Sequence, residues 1–232
     1  MHKVMIFSGA GISAESGIST FRDAGGLWDE YKIEEVCTAG CLSSNRVQTI
    51  EFYNKRRVQL ATVEPNHAHK VIAELKEKYP NDIAVITQNV DDLFERAGCQ
   101  NVIHLHGYLP NIRCEQCGFV KTIGYNHQTD EVCEKCNATM RPDIVFFNEQ
   151  APMYMTLYGK MKECKFLVVI GTSGNVIYMD QCAKKATYSI LNNLEPSSAI
   201  DTKKYKKVIY KKASIAIDEI AKDIEDFIGV PI

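Results

Sequence analysis

The chain has 232 residues, of which 45% are hydrophobic and 24% charged, and its formal net charge is −2. These values are typical of one soluble globular domain with a sizeable core, and the balanced charge argues against nucleic acid or a membrane as a partner. Apolar runs in the sequence are too short for a signal peptide or a membrane span, which predicts a cytoplasmic protein. The oligomeric state stays open, with a monomer as the expectation.

Strands and helices are predicted to alternate along the chain. Short apolar runs predict strands at 4–7, Ile83–Thr87, 102–105, 144–146, Phe166–Ile170, 189–191 and 208–210. Helical periodicity or capping predicts helices at 11–16, at about 45–60, after Asn66 and at about 214–228. This order predicts an α/β fold with a Rossmann-like, doubly wound parallel sheet, whose ligands bind beyond the carboxyl ends of the strands.

Residues 111–140 are polar and rich in cysteine, which indicates a small inserted module. Cys114 and Cys117 form one C-x2-C pair, and Cys133 and Cys136 form another after fifteen intervening residues. This is zinc-ribbon spacing, and four thiolates close the coordination sphere of a structural zinc ion. We therefore expect one domain over 1–232, with a zinc ribbon at 108–142 and part of 25–65 completing a small helical subdomain.

A glycine turn follows the first predicted strand. Gly9 and Gly11 belong to a G-x-G-x-x-A pattern, in which the backbone approaches a pyrophosphate at a helix N-terminus. Such turns are common, and the position after the first strand gives this one more weight. Residues 17–45 lack a clear second strand that would present an acidic residue, so we expect a nucleotide without ordinary hydride transfer.

Polar residues follow the next two predicted strands. Asn89 and Asp91 come after one strand, and His104 and His106 follow the other. The alternation of the two histidines predicts that both face one site, where a histidine is the natural general base. Two other interpretations stay open: Asn89 or Asp91 caps the following helix, and His106 is a core histidine with satisfied hydrogen bonds.

Together these motifs resemble those of the sirtuins, over nearly the whole chain and in the family's order. The matching segments are Gly9-Ala10-Gly11-Ile12-Ser13, Phe21-Arg22, Thr87-Gln88-Asn89-Val90-Asp91, His106-Gly107, the four cysteines, Gly171-Thr172-Ser173 and Asn193-Leu194-Glu195-Pro196. The resemblance implies a protein-lysine deacylase that consumes NAD and acts on acylated lysine side chains of proteins. It also implies that NAD and the acylated peptide meet between a Rossmann-like domain and a zinc-bearing domain.

The resemblance assigns roles to individual residues. His106 would be the general base, and Asn89 and Asp91 would act with it in the nicotinamide pocket. NAD would contact Gly9, Ala10, Gly11, Ile18, Phe21, Arg22, Gln88, Asn89, Asp91, Gly171, Thr172, Ser173, Asn193, Glu195 and Ala213. The substrate backbone would pair with Val145, Phe147 and Glu149 on one side and with Gly174, Asn175 and Val176 on the other.

The acyl group is predicted from Tyr53 and Arg56, which share a helix face. Their spacing alone favours a solvated basic face, but their place resembles the desuccinylase/demalonylase branch, in which they would bind an acyl carboxylate. Ala24 matches the small residue that widens that branch's pocket. Deacetylation, mono-ADP-ribosyl transfer and a non-catalytic NAD-binding module are the alternatives.

The sequence departs from the family at several positions. Ser19 stands at a usual proline, Phe94 at a common histidine and Asn148 at a usual glycine. Tyr178-Met179 stands at a usual proline-alanine, and the segment near Lys212 lacks the usual glycine of the adenine loop. The last two changes bear on the affinity for NAD.

Overall fold

The structure, a computed structural model, describes residues 4–18, 31–129 and 131–229. The strands are β1 (Val4–Ser8), β2 (Ile83–Thr87), β3 (Ile103–His104), β4 (Gly107–Cys114), β5 (Val120–Thr122), β6 (Met140–Ile144), β7 (Phe166–Ile170), β8 (Tyr188–Asn193) and β9 (Lys207–Tyr210). The helices are α1 (Gly11–Ala14), α2 (Ile33–Val36), α3 (Cys41–Ser44), α4 (Arg46–Thr62), α5 (His67–Lys78), α6 (Leu93–Arg96), α7 (Tyr154–Glu163), α8 (Asp180–Lys185) and α9 (Ala213–Gly229).

The large sheet is parallel and has the order β3-β2-β1-β7-β8-β9. In sequence order of its own strands this is 3-2-1-4-5-6, the doubly wound arrangement, so the predicted fold class is confirmed. The order reverses between β1 and β7, which pair from Val4↔Phe166 to Ser8↔Ile170. Ligands of such sheets bind at this switch point, beyond the carboxyl ends of the strands.

Both faces of the sheet are buried because helices cover each of them. In β1, Val4 and Ile6 belong to the core cluster that contains residues of α5 and α9. Met5 and Phe7 belong to the cluster on the other face, with residues of α7 and α8. This alternation of side chains explains why the strand reads as an uninterrupted apolar run.

Helix α5 begins where its sequence predicts. The side chain of Asn66 accepts a hydrogen bond from the Ala68 amide at 3.0 Å, as an N-cap does. The same side chain donates to the carbonyl of Ile12 at 2.7 Å, which ties this cap to the end of α1. The N-terminus of helix α5 is therefore bonded to the segment that follows β1.

The small sheet is antiparallel, with the order β5-β4-β6. The strand predicted at 144–146 is wrong in its bounds, because β6 ends at Ile144, where it pairs with Gly107. Phe147 then bridges Thr38, outside both sheets. The sequence analysis also did not predict helices α7 and α8. Within the described ranges, no helix is long and apolar enough to cross a membrane.

Candidate active site

A cleft of about 840 Å³ opens at the switch point of the large sheet. Its lining contains most of the residues that the sequence analysis selected. These are Gly9, Ala10, Gly11, Ile18, Tyr53, Arg56, Gln88, Asn89, Asp91, His106, Val145, Phe147, Glu149, Gly171, Thr172, Ser173, Val176, Asn193, Glu195 and Ala213. Gly174 and Asn175 precede Val176 outside this lining, and Phe21, Arg22 and Ala24 lie outside the described residues.

Two glycine turns meet at the floor of the cleft. A Cβ on Gly9 would lie 2.8 Å from the Gly171 carbonyl oxygen, and one on Gly11 would lie 2.7 Å from the Gly171 Cα. Gly171 has φ +62, and the Gly11 amide donates to its carbonyl at 2.8 Å. These positions therefore require glycine because the two turns pack directly on each other. This requirement is separate from the close approach of a phosphate that the sequence pattern predicts.

Asn89 and Asp91 are joined through Ser13, which the sequence analysis did not select. Asn89 Nδ2 donates to Ser13 Oγ at 3.0 Å, and Ser13 Oγ donates to Asp91 Oδ2 at 3.0 Å. Asp91 Oδ1 also accepts from the amide of Leu93, the first residue of α6, at 3.2 Å, although the N-cap position of that helix is Asp92. Burial raises the pKa of Asp91, and the bonds from Ser13 and Leu93 oppose that shift only in part.

His69 is a second residue that the sequence analysis overlooked. Its Nε2 lies 3.5 Å from Ser13 Oγ, and burial lowers the pKa of His69 to about 3. The imidazole is therefore neutral at physiological pH. His69 lies on α5 and Ser13 on α1, so the spacing of the two residues in the sequence gives no sign of the contact.

His104 and His106 differ in their surroundings. His104 lies 2.9 Å from both the Asn89 carbonyl and a carboxylate oxygen of Glu95. Both partners are acceptors, so these contacts favour a proton on each ring nitrogen of His104. Burial alone would lower the pKa of His104, but the bond and charge of Glu95 outweigh it and the pKa is raised. These contacts oppose a role of His104 as a base, because its ring nitrogens are engaged as donors.

His106 is the histidine that lines the cleft. Its Nδ1 lies 3.1 Å from the Gln88 carbonyl, which only accepts, so in the neutral ring Nδ1 carries the proton and Nε2 has the lone pair. Burial lowers the pKa of His106, against a smaller opposing effect of that carbonyl. The expectation that both histidines face one site is wrong, because β3 ends at His104 and its alternation does not continue.

The other end of the cleft is held by paired side chains. Gln88 Nε2 donates to Thr172 Oγ1 at 3.1 Å, which links the ends of β2 and β7. The Asn193 side chain makes two hydrogen bonds with the Thr172 backbone. Its Oδ1 accepts from the Thr172 amide at 3.0 Å and its Nδ2 donates to the Thr172 carbonyl at 2.9 Å. Glu195 is exposed beyond β8 and Ala213 opens α9. These bonds fix the geometry of the wall at which an adenosine is expected.

Tyr53 and Arg56 reach the cleft from α4. Tyr53 is 2% exposed, stacks on Phe146 with centroids 5.7 Å apart and points its hydroxyl at Cys37 Sγ, 3.5 Å away. Burial raises the pKa of Tyr53 well above its usual value, so the hydroxyl stays a donor. The Arg56 guanidinium lies half-buried, 5.9 Å from the centre of the Phe52 ring. A basic and a hydroxyl donor thus share this wall of the cleft.

The neighbouring residues of α4 are bonded to the cysteine-bearing segment. Arg57 is fully buried and donates to the Leu109 carbonyl at 2.9 Å and to Asn54 Oδ1 at 3.0 Å. Asn54 in turn exchanges two hydrogen bonds with the Gln128 backbone, at 2.8 and 2.7 Å. Burial lowers the pKa of Arg57 to about 10, so it remains charged at neutral pH.

The segment predicted to pair with substrate already makes bonds within the chain. The Phe147 amide donates to Cys37 O and its carbonyl accepts from the Ala39 amide, each at 2.8 Å. The Glu149 carboxylate is held by Arg141 at 2.7 and 3.0 Å, which outweighs burial and lowers the pKa of Glu149. The predicted pairing with substrate would therefore need other backbone groups of this segment.

Asn148 occupies the position at which the family usually has glycine. Its φ is +68, in the left-handed region that glycine adopts freely and asparagine tolerates better than most residues. The departure from the family is therefore compatible with the same backbone turn.

The four predicted cysteine ligands lie together, with their sulfur atoms within 4.8 Å of one another. Backbone amides approach Cys114 Sγ at 3.4 Å and Cys133 Sγ at 3.3 Å, as in metal knuckles. Gly118 and Asn137, just after the second cysteine of each pair, have φ +72 and +60. A donor set of four thiolates fits a structural zinc ion.

The fold and the site define a class: a Rossmann-like protein with a four-cysteine cluster that fits zinc and a histidine that lines the cleft at the switch point. Residues 9–178 match the model of the Sir2 family. The chain is 49% identical, over 98% of its length and 97% of the relative's, to an NAD-dependent protein deacylase of Campylobacter jejuni. The chain belongs to the Sir2 family, the sirtuins, and is an NAD-dependent enzyme of that family.

Solved structures agree with this assignment. A mutant Sir2 homologue in complex with ADP-ribose superposes with a TM-score of 0.83 at 31% identity, covering 99% of this chain and 94% of the other. A Sir2 protein bound to an acetylated peptide superposes with a TM-score of 0.75 at 25% identity, covering 98% and 94%.

Proposed function

We propose that the chain removes acidic acyl groups, succinyl and malonyl, from lysine side chains of proteins, with acetyl as a poorer substrate. The observation that carries this proposal is the presence of Arg56 and Tyr53 in the cleft that also contains His106. Arginine presents a planar fork that matches a carboxylate, and a neutral tyrosine adds one more donor. An acetyl group has no carboxylate to engage either of them.

Cleavage would be assisted by the neutral His106. NAD, when bound, would supply the ADP-ribosyl group that takes the acyl group from lysine, with release of nicotinamide. One water molecule would complete the reaction and give O-acyl-ADP-ribose and free lysine. The Nε2 lone pair of His106 would accept a proton from a ribose hydroxyl, since Nδ1 is committed to the Gln88 carbonyl. Asn89 and Asp91, fixed by Ser13, would orient the nicotinamide carboxamide.

The weak contact of Tyr53 supports its role at the acyl end. Its hydroxyl meets a thiol at 3.5 Å, and a thiol is a weak acceptor. Exchanging that partner for a carboxylate would give a stronger, charge-assisted hydrogen bond at little cost. Burial raises the pKa of Cys37, so the thiol stays neutral and does not repel an incoming carboxylate.

We further propose one catalytic domain over 1–232, with the zinc ribbon at 108–142 inserted into it and part of 25–65 completing the small subdomain. The four cysteines would hold zinc as a structural ion, because a fourth thiolate leaves no position for substrate. Acylated lysines of proteins are the proposed partners, reached between Val145–Glu149 and the loop at Gly174.

The test is a panel of one peptide carrying acetyl-, succinyl- or malonyl-lysine, incubated with the enzyme and NAD. We expect O-acyl-ADP-ribose and free lysine, with kcat/KM highest for the acidic acyl groups. A preference for acetyl-lysine would refute the acyl assignment, and ADP-ribose attached to protein would indicate mono-ADP-ribosyl transfer instead. If NAD binds and no product forms, the result would indicate a non-catalytic NAD-binding module.

A further inference from the structure

The lone pair of His106 already has a partner inside the chain. Its Nε2 lies 3.0 Å from the hydroxyl of Tyr154, another residue that lines the cleft. The two rings are tilted by 53° with centroids 5.9 Å apart, so the hydroxyl meets the edge of the imidazole. Neither the motifs nor the proposed reaction assigns a role to Tyr154.

The direction of this hydrogen bond follows from the other side of the ring. Nδ1 must donate to the Gln88 carbonyl, so Nε2 of the neutral ring can only accept, and Tyr154 is the donor. Burial raises the pKa of Tyr154, which keeps its proton on the hydroxyl. The tyrosine therefore occupies the position that a hydroxyl group of a substrate would need in order to give its proton to His106.

The main chain of Tyr154 is anchored while its side chain is only half-buried. Tyr154 is the first residue of α7, where its amide donates to Ala151 O at 3.1 Å. One turn later Leu157 is fully buried against the large sheet. The Tyr154 ring packs against the buried cluster on this face of the sheet and meets the Tyr158 ring edge-on, with centroids 6.4 Å apart. Because the side chain is only partly buried, its hydroxyl can leave His106 by a side-chain rotation while the main chain stays anchored in the helix.

We propose that Tyr154 is a positioning residue that keeps the lone pair of His106 occupied and oriented in the free enzyme and yields its place to the ribose hydroxyl of NAD. This inference rests on the proposed role of His106 as general base. Donation by Tyr154 stabilises the neutral imidazole and holds the ring in the plane in which Nε2 faces the cleft. Binding of NAD then exchanges one hydroxyl for another, so the base is still neutral when it meets the ribose hydroxyl.

Removal of the Tyr154 hydroxyl has a predictable effect on the pKa of His106. The other titratable groups that line the cleft, among the described residues, are Glu15, Cys37, Tyr53, Arg56, Asp91, Glu149, Glu195, Lys211 and Lys212. A neutral hydrogen bond typically contributes about 0.5–1.5 kcal/mol, which corresponds to a pKa change of roughly 0.4–1. The hydroxyl donates to Nε2 of the neutral ring and accepts from Nε2–H of the charged ring, with different strengths, so its loss should shift the pKa of His106 by roughly that amount.

The experiment compares Tyr154→Phe with wild type, using Tyr158→Phe as the matched control from the exposed next turn of α7. The acidic limb of kcat/KM reports the free enzyme, in which Tyr154 is bonded to His106, and should shift by about 0.4–1 pH unit in Tyr154→Phe. The acidic limb of kcat reports the complex with bound substrates, in which Tyr154 no longer contacts His106. This limb should therefore not shift. Tyr158→Phe should leave both limbs in place.

Titration of the His106 ring by NMR, without substrate, measures the same pKa independently of turnover. A shift of the ring pKa in Tyr154→Phe, absent from Tyr158→Phe, supports the inference even if the proposed acyl chemistry fails. No shift in the ring titration would overturn it. Movement of both the kcat and kcat/KM limbs would also overturn it, because the tyrosine would then remain on His106 during the reaction.

Discussion

Substitution of Arg56 by methionine should separate acidic from neutral acyl substrates. Methionine keeps most of the aliphatic stem of this half-buried residue but removes the fork. Loss of a hydrogen bond to a charged group costs about 1.5–3 kcal/mol, or roughly 10–150-fold in binding. We therefore expect the Michaelis constant for a succinyl-lysine peptide to rise by that factor, with little change for the acetyl-lysine peptide.

The assay measures both peptides on the same preparation at saturating NAD, so general damage to the fold affects both equally. Lys55→Met is the matched control, because it removes a neighbouring positive charge from α4 that does not line the cleft. Lys55 pairs with Glu51 at 3.8 Å on a partly exposed surface, and such pairs contribute little to stability.

The selective effect is what the reasoning requires. If Arg56→Met weakens succinyl- and acetyl-lysine equally, the arginine supports the fold and does not bind the acyl carboxylate. If Lys55→Met reproduces the selective loss, the effect comes from the general positive field of α4 and not from a defined contact.

The remaining predictions concern the metal, the base and a turn. Cys114→Ser or Cys133→Ser should lose zinc and lower the melting temperature, since a structural metal contributes directly to folding; full zinc content with unchanged melting would refute the four-cysteine site. His106→Ala should retain NAD binding and lose roughly 10²–10⁴-fold in turnover, and near-normal turnover would show that the base is elsewhere. In wild type, kcat/KM should fall on the acid side with an apparent pKa below the ordinary histidine value, because burial lowers the pKa of His106 and only the neutral ring accepts a proton. Gly107→Ala should strongly destabilise the protein, because a Cβ there would lie 2.0 Å from the Asp143 carbonyl at φ +95; a melting temperature equal to wild type would contradict this geometry.

The parallel sheet could be predicted because its signals are local. Ile83–Thr87 and Phe166–Ile170 are uninterrupted apolar runs that end in polar or glycine turns, and the structure has the predicted bounds. The paired cysteines were equally informative, because their spacing is set by the metal. Asn66 was recognisable as a cap for the same reason: its partner is two residues away.

Contacts across the fold could not be read from the sequence. Ser13 joins Asn89 to Asp91 only because two strands end side by side, and Tyr154 meets His106 across 48 positions of the chain. Helix α7 was missed because Leu157 is its one fully buried side chain, so an apolar stripe is weak. The alternation of His104 and His106 was misleading, because it assumed a strand longer than the two residues that β3 has.

Helix α4 has consequences for how substrate preference could change in this protein. Tyr53 and Arg56 line the cleft, while Asn54 and Arg57, their immediate neighbours, are bonded to the backbone at 109 and 128, in the segment of the chain that carries the four cysteines. The orientation of this helix is thus fixed by residues outside the cleft. If Tyr53 and Arg56 select the acyl group as proposed, a mutation in the cysteine-bearing segment would change that selectivity through the helix, without altering a residue of the cleft.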